Sequence, residues 1–179
     1  MKLLKSKPGD ERLIHDQTAD WVDRSSALSR LVADGRRDLE PIARQWLQDS
    51  DIDLAREALG MLLSYWRRSH HAHEYVETAI RWLATAEDSD QRWDAASALG
   101  SYLYLPGDHP KDDVLRALLA ALEHDEDESV QEQCYMALLH HVSPQEKIAF
   151  LERRRHNFDR ATDVRWDLLA PLRERYGKS

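Results

Sequence analysis

The sequence predicts an all-α chain built from repeated helical hairpins, and three observations carry that prediction. From Thr18 onward apolar residues recur at three- and four-residue intervals, the spacing of one helix face. No segment sustains the apolar–polar alternation of a half-buried strand. Acidic breaks at Asp49, Asp88 and Asp125 lie 39 and 37 residues apart, with room for two helices between them. A period of this length marks stacked units, each too small to bury its apolar face alone.

Taken in order, residues 1–17 read as an N-terminal tail or cap, with a turn at Pro8-Gly9-Asp10, and residues 18–179 as the repeat domain. The first helical stripe is Val22, Leu28, Leu31 and Val32, closed by Gly35 as a C-terminal cap. Asp38 is placed to cap a second helix through Leu39, Ile42, Ala43, Trp46 and Leu47. Pro41 falls in its first turn, where a missing N–H costs little. After Asp49-Ser50-Asp51, Leu54, Ala58, Leu59, Leu62 and Trp66 share a face. Ser69 restarts the chain before Tyr75, Val76, Ala79, Ile80 and Leu83.

Glu87-Asp88-Ser89-Asp90 opens a helix packed through Ala95, Ala96, Leu99 and Leu103. Pro106-Gly107-Asp108 forces a loop, and Pro110 opens a helix through Val114, Leu115, Leu118, Ala121 and Leu122. Asp125 to Ser129 precedes the stripe Val130, Cys134, Ala137 and Leu138. Ser143-Pro144 begins a helix inward at Ile148 and Leu151, and a last one runs from Ala161 with Val164, Leu168, Leu169 and Leu172 inward.

Bulk properties exclude several classes. At 179 residues the chain is long enough for one domain that buries about two-thirds of its unfolded surface. It is 42% apolar and 32% charged, too apolar for a disordered chain and too charged for a membrane protein. Met1-Lys-Leu-Leu-Lys lacks the apolar core of a secretory signal. The single cysteine, Cys134, rules out an internal disulfide framework and fits a reducing compartment. The expected location is cytoplasmic. A net charge of -8 argues against general nucleic-acid binding and favours a basic protein partner.

One motif recurs. Gln91-Arg92, Ala95-Ala96 and Ala98-Leu99-Gly100 fall at spacings repeated by Val130-Gln131, Cys134-Tyr135 and Ala137-Leu138. Val164-Arg165, Leu168-Leu169 and Pro171-Leu172 repeat them with bulkier residues, and Ala58-Leu59-Gly60 keeps only the tail. Small residues at these positions allow close helix approach. Over residues 18–176 the pattern resembles the HEAT-repeat family, with Gln91 where that family has Val. The resemblance implies a right-handed α-α superhelix, a HEAT-like solenoid of about four hairpins plus a terminal helix, and a binding surface in place of a catalytic one. Within HEAT-like proteins it also admits alkyl-purine DNA glycosylases and chromophore lyases. No position here matches a glycosylase catalytic residue.

Such a stack has two edges of different character. Turns between repeats are acidic: Asp49, Asp51 and Asp53; Glu87, Asp88 and Asp90; Asp125 to Glu128. Turns within repeats carry Arg36 and Arg37, Trp66-Arg67-Arg68, Tyr102 and Tyr104, and His140-His141. Acids also cap helix N-termini, so the acidic edge has two readings. Arg and aromatic residues are enriched at interface anchors. Glu40, Arg44, Glu77, Arg81, Asp112 and Arg116 are expected to face solvent on second helices. The candidate partner-binding residues are therefore Asp51, Asp53, Asp88, Asp90, Asp127, Glu77, Arg81, Arg116, Trp66, Arg67 and Arg68.

No catalytic, cofactor or metal site emerges. His70, His71, His73 and Glu74 approach a metal-ligand spacing, but no second cluster with that spacing joins them. Asp49-x-Asp51-x-Asp53 fails as a calcium loop, with Leu54 sixth and Gly60 twelfth. Asp125-x-Asp127-x-Ser129 fails likewise, at Val130 and Met136. Cys134 reads as a buried structural thiol. Trp46, Trp66 and Trp93 read as core, and Trp21 and Trp82 as partly exposed. Neither a membrane nor a small-molecule substrate is inferred. The prediction is a non-catalytic module that binds another protein, in its concrete form a small acidic neutraliser of immunity type.

Overall fold

A computed structural model describes residues 5–104, 111–153 and 157–177, and among these no strand occurs. The loop at Pro106-Gly107-Asp108 and the helix opening at Pro110 lie outside the described residues. The helices are α1 (Asp10–Leu13), α2 (Trp21–Ala33), α3 (Glu40–Trp46), α4 (Ile52–Tyr65), α5 (Ala72–Thr85), α6 (Ser89–Leu103), α7 (Asp112–His124), α8 (Glu128–Val142), α9 (Pro144–Arg153), α10 (Arg160–Asp163) and α11 (Trp166–Tyr176). Contacts divide the chain between Tyr75 and Val76, inside α5.

In the first part, α2 packs on α1 and α4, and α4 on α3. The buried face of α2 repeats as Arg24 and Ser25, Ala27 and Leu28, then Leu31 and Val32. Val22 is out of that phase and 48% exposed, against expectation. Gly35 ends α2 as expected, with φ of 96°. Its N–H donates to Val32 O, and the Arg36 N–H donates to Leu31 O, the paired bonds of a Schellman cap. Asp38 is not a cap. Its carboxylate takes Arg36 at 2.8 Å, and a short 3-10 turn, Arg37–Leu39, leads into α3. Asp10 is buried and gripped by Arg30 through bonds of 2.9 and 2.7 Å, which fasten α1 to α2.

In the second part, α6 and α8 pack side by side and run parallel. The Ser89 hydroxyl reaches Asp127 at one end, and the Tyr104 and His140 rings meet at a tilt of 49° with centroids 3.9 Å apart at the other. Between them, a Cβ added at Gly100 would sit 3.0 Å from Ala137 Cβ. Each contact joins residues one repeat apart, so the sequence period is the packing period. Cys134 is fully buried in this layer, and burial pushes its thiol pKa up, so it is not a nucleophile at neutral pH.

The end of the chain departs from the expected stripes. Ile148 is 58% and Leu151 47% exposed, while Phe150 is buried. Phe150 sits edge-on to Tyr135 at 5.2 Å and joins Phe158 in one aromatic cluster. Ring packing therefore sets the rotation of α9. The expected last helix is two helices. Val164 is extended between α10 and α11, and the Arg165 N–H donates to Tyr135 Oη at 3.2 Å. Leu169 and Leu172 are buried as expected, but Leu168 is only half-buried.

Candidate functional site

The acidic breaks lie where helices begin, and local chemistry uses many of their carboxylates. Asp51 caps α4 through the N–H groups of Asp53 and Leu54. Asp88 caps α6 at Gln91 N, and Asp127 caps α8 at Ser129 N and Val130 N. These bonds satisfy N–H groups that a helix start leaves open. The Ser129 hydrogen bonds hold the Asp127 carboxyl below its ordinary range. Asp53 takes Arg56 at 3.0 Å.

Asp125 has a different task. Its carboxylate takes Arg92 Nε at 2.8 Å and Nη2 at 3.0 Å. The two side chains are only 6% and 10% exposed. Arg92 also donates to the carbonyls of Ala86 and Glu87, just past the C-terminal end of α5. One buried guanidinium thus binds that turn and the turn after α7. Asp125 in return holds the Arg92 pKa up.

A surplus of charge remains. Glu87, Asp90, Glu126 and Glu128 are exposed. No ion pair joins any of them to another described residue. Glu77 and Arg81 are likewise exposed on α5. The other expected second-helix groups are engaged. Glu40 accepts from the Tyr75 hydroxyl, and Arg44 reaches His71 at 2.9 Å and Glu74 at 3.0 Å. Asp112 takes Arg175 and the Tyr176 hydroxyl, each at 2.8 Å. Arg116 pairs with Asp113 and lies over the Tyr176 ring.

The Arg and aromatic candidates separate. Trp66 is 5% exposed, and its indole N–H donates to Arg37 O at 2.8 Å. It is a core anchor, not the surface residue expected of a binding site. Arg67 is half-buried and Arg68 exposed. Trp93 makes the opposite correction, 38% exposed where core was expected, because the packed face of α6 runs through Ala95, Ala96 and Leu99. Trp21 and Trp82 are half-buried. At the C-terminal ends of α6 and α8, Lys147 Nζ donates to Tyr104 Oη at 2.6 Å and lies over its ring. Burial, with Lys147 beside it, lowers the His140 pKa.

His71 is held between Glu74 and Arg44. Among the described residues no three His, Cys, Asp or Glu side chains converge as a metal site.

The sequence reading missed a cleft of about 640 Å³ beside the acidic turns. Ile80, Leu83 and Ala84 of α5 and Ala117, Ala120 and Ala121 of α7 form its walls. Arg92 and Asp125, whose side chains are buried, line its inner side, and the exposed Glu87, His124 and Glu126 its outer rim. Ala117, Ala120 and Ala121 on adjacent turns of one helix were the available signal.

A family model for HEAT repeats matches residues 40–139, more than half of the chain. The chain belongs to the HEAT-repeat family. Its fold is thereby an α-solenoid, with α6 and α8 as equivalent helices of successive repeats. No curated protein and no solved structure matches this chain. No helix among the described residues is long and apolar enough to cross a membrane.

Proposed function

We propose that this protein is a non-catalytic binding module that recognises a basic protein through the acidic turns of its second part. The observation that carries this reading is the charge left after capping. Asp88, Asp125 and Asp127 are used within the fold, whereas Glu87, Asp90, Glu126 and Glu128 stay exposed with no ion pair among the described residues. Unpaired like charges on one edge repel each other and speed encounter with an opposite surface. The net charge of -8 acts in the same direction. In its most concrete form the module is a neutraliser of immunity type, which occludes a basic toxin or nuclease.

Capture on the tagged protein from native lysate, at low and high salt with mass spectrometry of the eluate, tests this reading. A stoichiometric basic protein, lost at high salt, is the expected result. Nucleic acid in place of protein would overturn it.

A further inference from the structure

We propose that the cleft between α5 and α7 is the seat of a basic amphipathic helix from that partner. This rests on the reading of the acidic turns as a protein-binding surface and adds where and how the partner docks. The walls are apolar and low. Ala84 and Ala120 are exposed, and Ala117 and Ala121 are half-buried, so from Ala117 to Ala121 only small α7 side chains line the cleft, with His124 at the end of the helix. Small residues on a helix face permit close approach.

The inner side is electrically closed, because Arg92 and Asp125 neutralise each other. The outer rim is not. Glu87 follows the α5 bank and Glu126 the α7 bank, and neither has an ion pair among the described residues. An apolar slot with acidic lips complements a helix that has small aliphatic side chains on one face and Lys or Arg along its flanks. The same lips repel nucleic acid and acidic segments.

The test uses the full chain and a fluorescein-labelled helical peptide with Ala and Leu on one face and Lys on both flanks. Its controls are the same peptide with Glu for Lys, and one of equal Lys content with the apolar face scrambled. Binding is read by anisotropy and located by amide NMR. The Lys peptide is expected to bind and to shift the amides of Ala84, Ala117 and Ala120. The Ala120→Trp variant fills the slot at an exposed position, so it is expected to melt like the parent and to bind about tenfold more weakly or worse.

Three results overturn the proposal. The first is unchanged affinity in Ala120→Trp while Glu87→Lys with Asp90→Lys abolishes binding; the acidic edge then binds without the slot. The second is equal binding of the scrambled peptide. The third is no binding of the Lys peptide at all. In the third case the acidic-edge reading is decided separately by the lysate capture.

Discussion

The two ends of the α6–α8 pair are built from the same helices and differ in what their charges are doing. At the C-terminal end, Tyr104, His140 and Lys147 close on one another through a tilted ring contact, a hydrogen bond and a cation–π contact. At the N-terminal end, Asp88, Asp125 and Asp127 are consumed by caps and by Arg92, but four further acids are left over. Acids at helix starts also gain from the helix dipole, so their presence alone does not mark a surface for a partner. The proposed binding surface rests on the surplus beyond capping.

The comparison breaks most severely if its structural half is removed. Arg92→Ala strands the buried carboxylate of Asp125, and losing one partner of a buried pair costs about 3–5 kcal/mol. Urea denaturation is expected to show a loss of that order. Gly100→Leu forces a side chain into a space where even a Cβ meets Ala137. Overpacking of this kind costs about 1–3 kcal/mol, read as a lower thermal midpoint.

Smaller changes sharpen the distinction between capping and surplus acids. Asp127→Ala removes a cap and is expected to cost about 1 kcal/mol. The Asp127 pKa is lowered in the fold, chiefly by Ser129. Its contribution is thus present above the unfolded value of about 3.9 and lost as pH falls through the folded value. Asp127→Asn should flatten the stability–pH curve in that acid window. Glu87→Lys, at an exposed residue just past the end of α5, is expected to change stability by no more than about 0.5 kcal/mol while weakening partner association. Parallel melts and binding titrations of the two variants separate the roles.

The repeat layer was legible because its rule is local. Ala95, Ala96, Leu99 and Gly100 lie at fixed spacings, and those spacings are the packing interface. The α9–α11 end was illegible because its rule is not local. Phe150 is drawn inward by Tyr135 and Phe158, and no three- or four-residue count foretells that rotation. Among site residues, the caps at Asp51, Asp88 and Asp127 followed from sequence. Trp66 was read as core from its place on the apolar stripe and is buried, but its bond to Arg37 O and the cleft between α5 and α7 depend on which helices become neighbours.

The most direct test of the central claim is a calorimetric titration of the captured basic partner against the parent chain and the Glu87→Lys/Glu126→Lys variant, at two salt concentrations. If the surplus acids form the binding surface, the parent binds more weakly in high salt, and the variant loses about tenfold or more in affinity with an unchanged melting temperature. Equal affinity of parent and variant at both salt concentrations would contradict it, and would leave the acidic turns as helix caps and solvated surface.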